Sequence, residues 1–389
     1  MKKYKKKNNL SFADFFCGCG GLSLGFEKAG FELFLANDID RDSIDTFNHN
    51  RPNLDKEIVY CGDISDLILD RKNMLENLGC SVVVGGPPCQ GFSMANRQRP
   101  INDPRNILYR RFVEAVSLIR PKIYVMENVK GMLRFASQVK DDFERVGFSS
   151  ECVVLNARDY GVPQNRERIL YFGVNRDFYR DGRKTVKSII TDITRKRCPN
   201  IIPLGDALWG LRKLSAKSEK YKTELESNQH GFKKDKIFNG DKTPKYVIRI
   251  NKGKAPRVAF NHVARYNNER DIEIFRRLPQ GGKSDHPSIA DIMPYKNRSH
   301  IFKDKYYRLK IDEPCKTITS HMKFDCNMYI HPTQARGLTP REAARVQGFP
   351  DAYEFRGRFT RQYMQCGNSV PPLFAEVIAE SIKNTMEDF

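Results

Sequence analysis

The run Phe12-Ala13-Asp14-Phe15-Phe16-Cys17-Gly18-Cys19-Gly20-Gly21-Leu22-Ser23-Leu24-Gly25-Phe26-Glu27-Lys28-Ala29-Gly30 decides the fold. Apolar residues from Phe12 to Phe16 predict a strand, and the glycines after it a turn. Leu22, Phe26 and Ala29 then recur at helical spacing until Gly30 stops the helix. The same alternation continues through Asn175. Phe31 to Ala36 and Ser81 to Val84 predict strands; Leu108, Phe112, Ala115, Val116 and Ile119 mark a helix face ended by Pro121, and Ile123 to Met126 follows as a strand. Val139, Phe143 and Val146 mark another helix, closed by Gly147, ahead of strands at Glu151 to Leu155 and Ile169 to Val174. Repeated strand and helix predict a doubly wound α/β sheet with its ligand site at the carboxyl ends of the strands.

The chain has 389 residues, 40% of them hydrophobic, which is enough for a large core, and roughly 150 residues per domain suggests two or three domains. Its 67 Lys and Arg exceed 47 Asp and Glu, and the net charge of +20 favours a polyanionic partner such as nucleic acid. Charge at Met1 to Asn9 is not followed by the apolar stretch of a signal peptide, and charged residues interrupt every run before the roughly 18 apolar residues that cross a bilayer. A soluble, cytoplasmic protein is expected. Cys17-Gly18-Cys19 lacks a second Cys or His pair at zinc-binding spacing, so no metal is expected, and the ten cysteines fit a reducing compartment.

From about residue 176 to residue 300 the alternation fails and Lys, Arg and Asn become frequent, predicting a second domain. Between Gly231 and Arg265 ten Lys or Arg stand against two Asp, interleaved with Phe232, Phe238, Tyr246 and Phe260. A solvated surface is the plain explanation; so one-sided a run beside aromatics favours a phosphate-contacting face. Thr339-Pro340-Arg341-Glu342 has the form of a capping box with Pro at the first helical position, and Gly348 ends that helix before Pro350. A last helix starts near Pro371-Pro372 and carries Phe374, Val377, Ile378 and Ile382.

Three segments carry chemistry. The turn Asp14 to Gly21 lets a ligand approach backbone closely, but a dinucleotide fingerprint would need Gly or Ala at Ser23. Asp38 follows the second strand, where a carboxylate accepts hydrogen bonds from ribose hydroxyls, and Asp63 after the third is suited to an adenine amino group. Gly85-Gly86-Pro87-Pro88-Cys89-Gln90-Gly91-Phe92-Ser93 follows an apolar strand and presents Cys89 on a loop at the sheet edge; a buried structural thiol would not need such a loop, and no neighbouring His supports a protease-like pair. Glu127-Asn128-Val129 ends its strand at the same edge, placing a carboxylate for acid–base work.

Six stretches in this order resemble the motifs of C5-cytosine DNA methyltransferases: Asp14 to Gly21, Gly86 to Ser93, Glu127 to Val129, Gln164-Asn165-Arg166-Glu167-Arg168, Arg336 to Pro350, and Gly367-Asn368-Ser369-Val370. The resemblance implies a Rossmann-like S-adenosylmethionine-dependent methyltransferase sheet with a second, smaller, basic DNA-recognition domain. Residues 1–180 with 358–389 would form the catalytic domain, 181–332 the target-recognition domain, and 333–357 a junction helix region. It further implies methyl transfer from S-adenosylmethionine to C5 of a cytosine in a specific duplex sequence, with the base flipped out and Cys89 bonded to C6, as in the modification enzyme of a restriction-modification system.

Glu127 would hold N3 and the exocyclic amine, with Arg166 or Arg168 steadying the O2 side. Cofactor contacts are implied at Phe16, Gly18, Gly20, Gly21, Asp38, Asp63, Ile64, Pro87, Leu108, Asn368 and Ser369, and DNA contacts at Gln90, Ser93, Arg97, Arg99 and Arg105. The polar run Ser93 to Arg105 reads as a lid or as an ordinary surface loop. Double-stranded DNA is the expected partner, a cognate restriction endonuclease a second possible one, and one target base per event is compatible with a monomer. The alternatives are the tRNA-acting branch of the same family, from which Gln90-Gly91-Phe92-Ser93 departs, an inactive DNA-binding relative, and a nicotinamide oxidoreductase, which leaves the charge unexplained.

Overall fold

The computed structural model describes residues 10–88, 107–220, 226–238, 242–294 and 305–387. They form two compact units: Met1–Tyr160, Glu167–Pro199 and Val370–Phe389 make unit 1, and Gly161–Arg166 with Asn200–Ser369 make unit 2.

In unit 1, β1 (Ser11–Phe15), β2 (Glu32–Asp38), β3 (Val59–Cys61), β4 (Val82–Gly85), β5 (Ile123–Val129), β6 (Phe148–Asn156) and β8 (Glu167–Asn175) form one sheet, ordered β3-β2-β1-β4-β5-β8-β6. The first five strands are parallel, and β8 inserts antiparallel between β5 and β6. Helices α1 (Gly21–Lys28), α2 (Arg41–His49), α3 (Ile64–Asp70), α4 (Lys72–Glu76), α5 (Ile107–Ile119), α6 (Ala136–Arg145), α7 (Gly182–Arg195) and α13 (Pro372–Glu387) complete the unit.

Val82, Val83 and Val84 are all fully buried, as a central parallel strand covered on both faces requires. Phe112 makes edge contacts with Phe15 and Phe143 at centroid distances of 6.3 and 6.2 Å, and Tyr124 stacks on Phe143 at 3.8 Å. Each such ring contributes about 1.5–3 kcal/mol through burial. Gly25 sets how closely α1 meets α13, since a Cβ there would lie 2.4 Å from that of Ala375.

Two boundaries differ from the sequence reading. The strand expected to stop at Met126 continues to Val129, because Glu127, Asn128 and Val129 pair with Leu170, Ile169 and Arg168 of β8. Asp181, expected to open the second domain, instead caps α7 (Gly182–Arg195), which packs on β6, β8 and α13 within unit 1.

Unit 2 contains β7 (Gln164–Asn165) parallel to β11 (Cys315–Lys316), and β9 (Gly231–Lys236) antiparallel to β10 (Val258–Val263). Its helices are α8 (Leu204–Leu208), α9 (Lys245–Ile250), α10 (Glu269–Arg277), α11 (Pro340–Val346) and α12 (Phe359–Asn368). Every residue of α11 is buried. The helix has both arms of the capping box: Thr339 Oγ1 accepts from Glu342 N at 3.1 Å and Glu342 Oε2 accepts from Thr339 N at 2.7 Å.

Three fully buried arginines accompany it. Arg336 reaches both Glu342 oxygens at 2.7 Å, Arg345 pairs with Asp351 at 2.7 and 3.1 Å, and Arg341 donates to the carbonyls of Phe260, Pro350 and Tyr353. Buried charges add little net stability when satisfied, yet cost several kcal/mol when one partner is removed. They therefore hold α11 to one arrangement of its neighbours.

Candidate active site

The ladder places the carboxyl ends of β1, β2 and β4 level: Phe15 pairs with both Asn37 and Gly85. Beyond Phe15 the chain enters the left-handed region at Phe16 (φ 58°), Gly18 (φ 53°) and Gly20 (φ 87°). A Cβ on Gly18 would meet nothing within 4 Å, so this turn faces open space; one on Gly20 would strike Phe47 and Arg51 at 2.7 and 2.8 Å. Gly18 therefore borders open space, while Gly20 serves packing.

Asp38 ends β2, and its two oxygens accept the backbone N–H groups of Gly18 and Asp40, each at 2.8 Å. Burial pushes its pKa up, and those hydrogen bonds pull it back. The next residue, Ile39, is 68% exposed, a large apolar side chain left open beside the carboxylate. Asp63 caps α3 by accepting Ser65 N–H at 2.7 Å. Ile64 lies inside the core cluster, against which Phe16 and Leu108 are partly buried; Gly21 opens α1.

Asp14 is fully buried. Ser23 Oγ donates to its Oδ2 at 2.5 Å, whereas Oδ1 has no hydrogen-bond partner among the described residues. Burial is the main cause that moves its pKa up to about 7.

At the end of β5, Arg168 Nε lies 2.9 Å from Glu127 Oε1. The contact is an ion pair out of line for a hydrogen bond, so this buried oxygen has no hydrogen-bond donor among the described residues. A Cβ on Gly86 would sit 3.5 Å from Glu127 Oε2, which puts the loop after β4 against the carboxylate. Asn128 Nδ2 donates to Pro87 O at 3.0 Å.

Of the two expected arginines, Arg168 is the one brought to Glu127. Arg166 is buried in unit 2, where it donates to the carbonyls of Ile318, Gly367 and Ser369 at 2.9, 3.2 and 2.9 Å. Asn368 ends α12 in the same unit, exposed, and Ser369 is its C-cap. Cys89, Gln90, Ser93, Arg97, Arg99 and Arg105 lie outside the described residues, as does the whole run from Ser93 to Arg105.

The basic segment of unit 2 becomes the β9–β10 ribbon with Lys233, Lys234 and Lys236 exposed. Asp235 is buried and neutralised by Arg212 at 2.8 and 3.0 Å, and Arg212 also covers Phe232 and Phe238 at 5.3 and 5.2 Å. Not every cation stays outside: Arg265 turns in to the carbonyls of Met322 and Phe324, each at 2.9 Å. Sequence reasoning assigned no part to the exposed Ile39, to the Ser23 hydroxyl on Asp14 or to the Asn128 carboxamide, whose partner Pro87 is 41 residues away.

Residues 10–384 match the family described as C-5 cytosine-specific DNA methylase. The Type II methyltransferase M.AgeI of Thalassovita gelatinovora is 31% identical over 95% of this chain and 98% of its own. M.DdeI of Desulfomicrobium norvegicum, also a Type II methyltransferase, is 32% identical over 96% of this chain and 88% of its own. A crystal structure assigned as a DNA modification methyltransferase from an E. coli prophage superposes with a TM-score of 0.73 at 26% identity, covering 97% of this chain and 99% of that one.

Proposed function

This chain belongs to the C-5 cytosine-specific DNA methylase family, as a DNA (cytosine-5-)-methyltransferase of restriction-modification type, and from that premise we propose how its residues carry the reaction. S-adenosylmethionine, the cofactor of this family, would be held at the sheet edge by the turn around Phe16 and Gly18, with Asp38 to accept from the ribose hydroxyls, Asp63 to accept from the adenine amino group and Ile39 as an apolar face. The open space before Gly18 and the backbone-oriented carboxylate of Asp38 suit a polar, cationic ligand. When bound, the cofactor supplies an electrophilic methyl group.

The cytosine is turned out of the duplex at a cost of a few kcal/mol, because its reacting carbons are inaccessible in the stack. Cys89 Sγ, as thiolate, adds to C6 and breaks the ring's aromaticity, and C5 gains the nucleophilicity it otherwise lacks. Glu127 accepts from the exocyclic amine and, when protonated, donates to N3, which takes up the negative charge that sulfur addition pushes into the ring, while Arg168 fixes the direction of the carboxyl group. After C5 is methylated, its proton leaves to a base, the Cys89–C6 bond breaks and aromaticity returns. Lys233, Lys234 and Lys236 on the β9–β10 ribbon contact phosphates and supply salt-dependent affinity.

Glu127 carries this reading: a largely buried carboxylate, paired with Arg168 and with one oxygen lacking a hydrogen-bond donor among the described residues, stands beside the loop that leads to Cys89. Bisulfite sequencing of plasmid DNA from cells expressing the chain is expected to reveal one methylated sequence, and activity on tRNA alone would refute the DNA substrate. Cys89→Ser is expected to abolish methylation while DNA binding survives, since the hydroxyl is a far weaker nucleophile at neutral pH. Retained turnover would remove Cys89 from the mechanism.

A further inference from the structure

We propose that Asn128 is a positioning residue for the nucleophilic step, its carboxamide fixing the Pro87–Pro88 segment from which Cys89 follows. The proposal rests on the assignment of Cys89 as nucleophile. The β4–β5 ladder pairs Gly85 with Met126 and goes no further, so past that point the loop after β4 has no backbone ladder to hold it to β5. Asn128 takes over. Its Nδ2 donates to Pro87 O at 3.0 Å, and its Oδ1 accepts Val129 N–H at 2.8 Å.

These two bonds determine the amide's orientation, because a flipped carboxamide would set NH₂ against N–H and oxygen against carbonyl. Asn128 is only 4% exposed, so water does not replace either bond cheaply. Prolines 87 and 88 have no N–H to donate, which leaves carbonyl acceptance as the way to tie this segment down. Gly86, one residue earlier, lies against Glu127, and Asn128 is Glu127's neighbour in the chain. One side chain thus sets the register between the loop that bears the nucleophile and the carboxylate that binds the base.

The test compares wild type, Asn128→Leu and Asn128→Asp for cross-linking to a 5-fluorocytosine duplex, alongside separate titrations of S-adenosylmethionine and DNA. Asn128→Leu is expected to slow cross-linking about a hundredfold, the loss typical of a small misplacement of reacting groups, with both binding affinities little changed. Asn128→Asp keeps the shape and the acceptor for Val129, and only its protonated form donates to Pro87 O. Its cross-linking rate should therefore recover as pH falls, while the wild-type rate falls with the thiolate fraction.

Equal rates in wild type and Asn128→Leu overturn the proposal, as do losses of binding that match the loss of rate. If Asn128→Leu does not fold, the Asn128→Asp profile decides alone, and one parallel to wild type overturns it. A wild-type enzyme that never cross-links overturns the Cys89 assignment and this inference with it, whereas a wild type that cross-links no faster than the variants overturns only the role of Asn128.

Discussion

Replacing Glu342 with Gln is expected to destabilise unit 2 by about 3 kcal/mol, the lower end of the cost of breaking a buried ion pair. Both members of the pair are 1% exposed, and the carboxylate meets Arg336 through two contacts of 2.7 Å. Gln keeps an oxygen for Thr339 N–H, so the cap, worth about 1 kcal/mol, is retained. Arg336 still donates to Gly337 O at 2.9 Å and Gln334 Oε1 at 3.0 Å, which limits the loss without cancelling the buried charge. Glu342→Ala also removes the acceptor for Thr339 N–H, although Thr339 Oγ1 still caps the backbone N–H of residue 342, and should cost about 1 kcal/mol more. The chain's single tryptophan, Trp209, lies in unit 2 and has its carbonyl bound by Arg345, so its fluorescence in urea reports this transition. Replacing the pair together, Arg336→Met with Glu342→Leu, should restore most of the stability, since apolar groups of similar volume leave no uncompensated charge. A loss below about 1 kcal/mol for Glu342→Gln, or a double variant no better than the single, refutes the account of α11 as held by buried charge.

Acid should unfold unit 2 for a related reason. Burial lowers His262 to about 4 and His331 to about 3, so the folded state keeps both rings neutral, and the 3.5 Å contact of His331 with Glu342 is not ionic at neutral pH. Both groups are protonated more readily when unfolded, near pH 6.5, so their contribution is complete above that value and is lost as pH falls toward 4 and 3. Trp209 fluorescence against urea at a series of pH values checks this, and constant stability from neutral pH down to the histidines' lowered range would contradict it. Asp38→Ala is expected to weaken S-adenosylmethionine binding at least tenfold, about the worth of one hydrogen bond to a charged group, and calorimetric titration with unchanged affinity would refute the assignment. Gly25→Val should lower the thermal midpoint, since its Cβ would lie 2.4 Å from Ala375 Cβ and overpacking costs about 1–3 kcal/mol; a midpoint equal to wild type would mean that α1 and α13 separate freely.

The glycine turn, Asp38 and the Thr339–Glu342 cap were legible in the sequence because each depends on residues a few positions apart or at the end of an apolar run. The position of β8 was not: its alternation resembles that of any buried strand, and nothing local reveals that it runs antiparallel between β5 and β6. Arg166 and Arg168 look equivalent in the chain and, two residues apart, would share a face of one strand; instead Arg166 falls in the break between β7 and β8 and reaches buried carbonyls, whereas Arg168 lies within β8 and meets Glu127. The Glu127-Asn128-Val129 triplet stood out, but the contact made by Asn128 did not, because its partner, Pro87, is 41 residues away. In the run from Gly231 to Arg265, counting charges overstated the exposed cations, since Arg265 is turned in to the carbonyls of Met322 and Phe324.

The contact of Gly25 with Ala375 has a bearing on biosynthesis. Helix α1 carries the turn at Gly18 into the core, but the helix it leans on, Pro372–Glu387, is encoded about 340 codons later, after all of unit 2. At about 5–20 residues per second, a ribosome takes roughly 20–70 s to span that interval. A nascent chain in that interval has no backing for α1, so the turn at Gly18 gains its full support only once Pro372–Glu387 has been made.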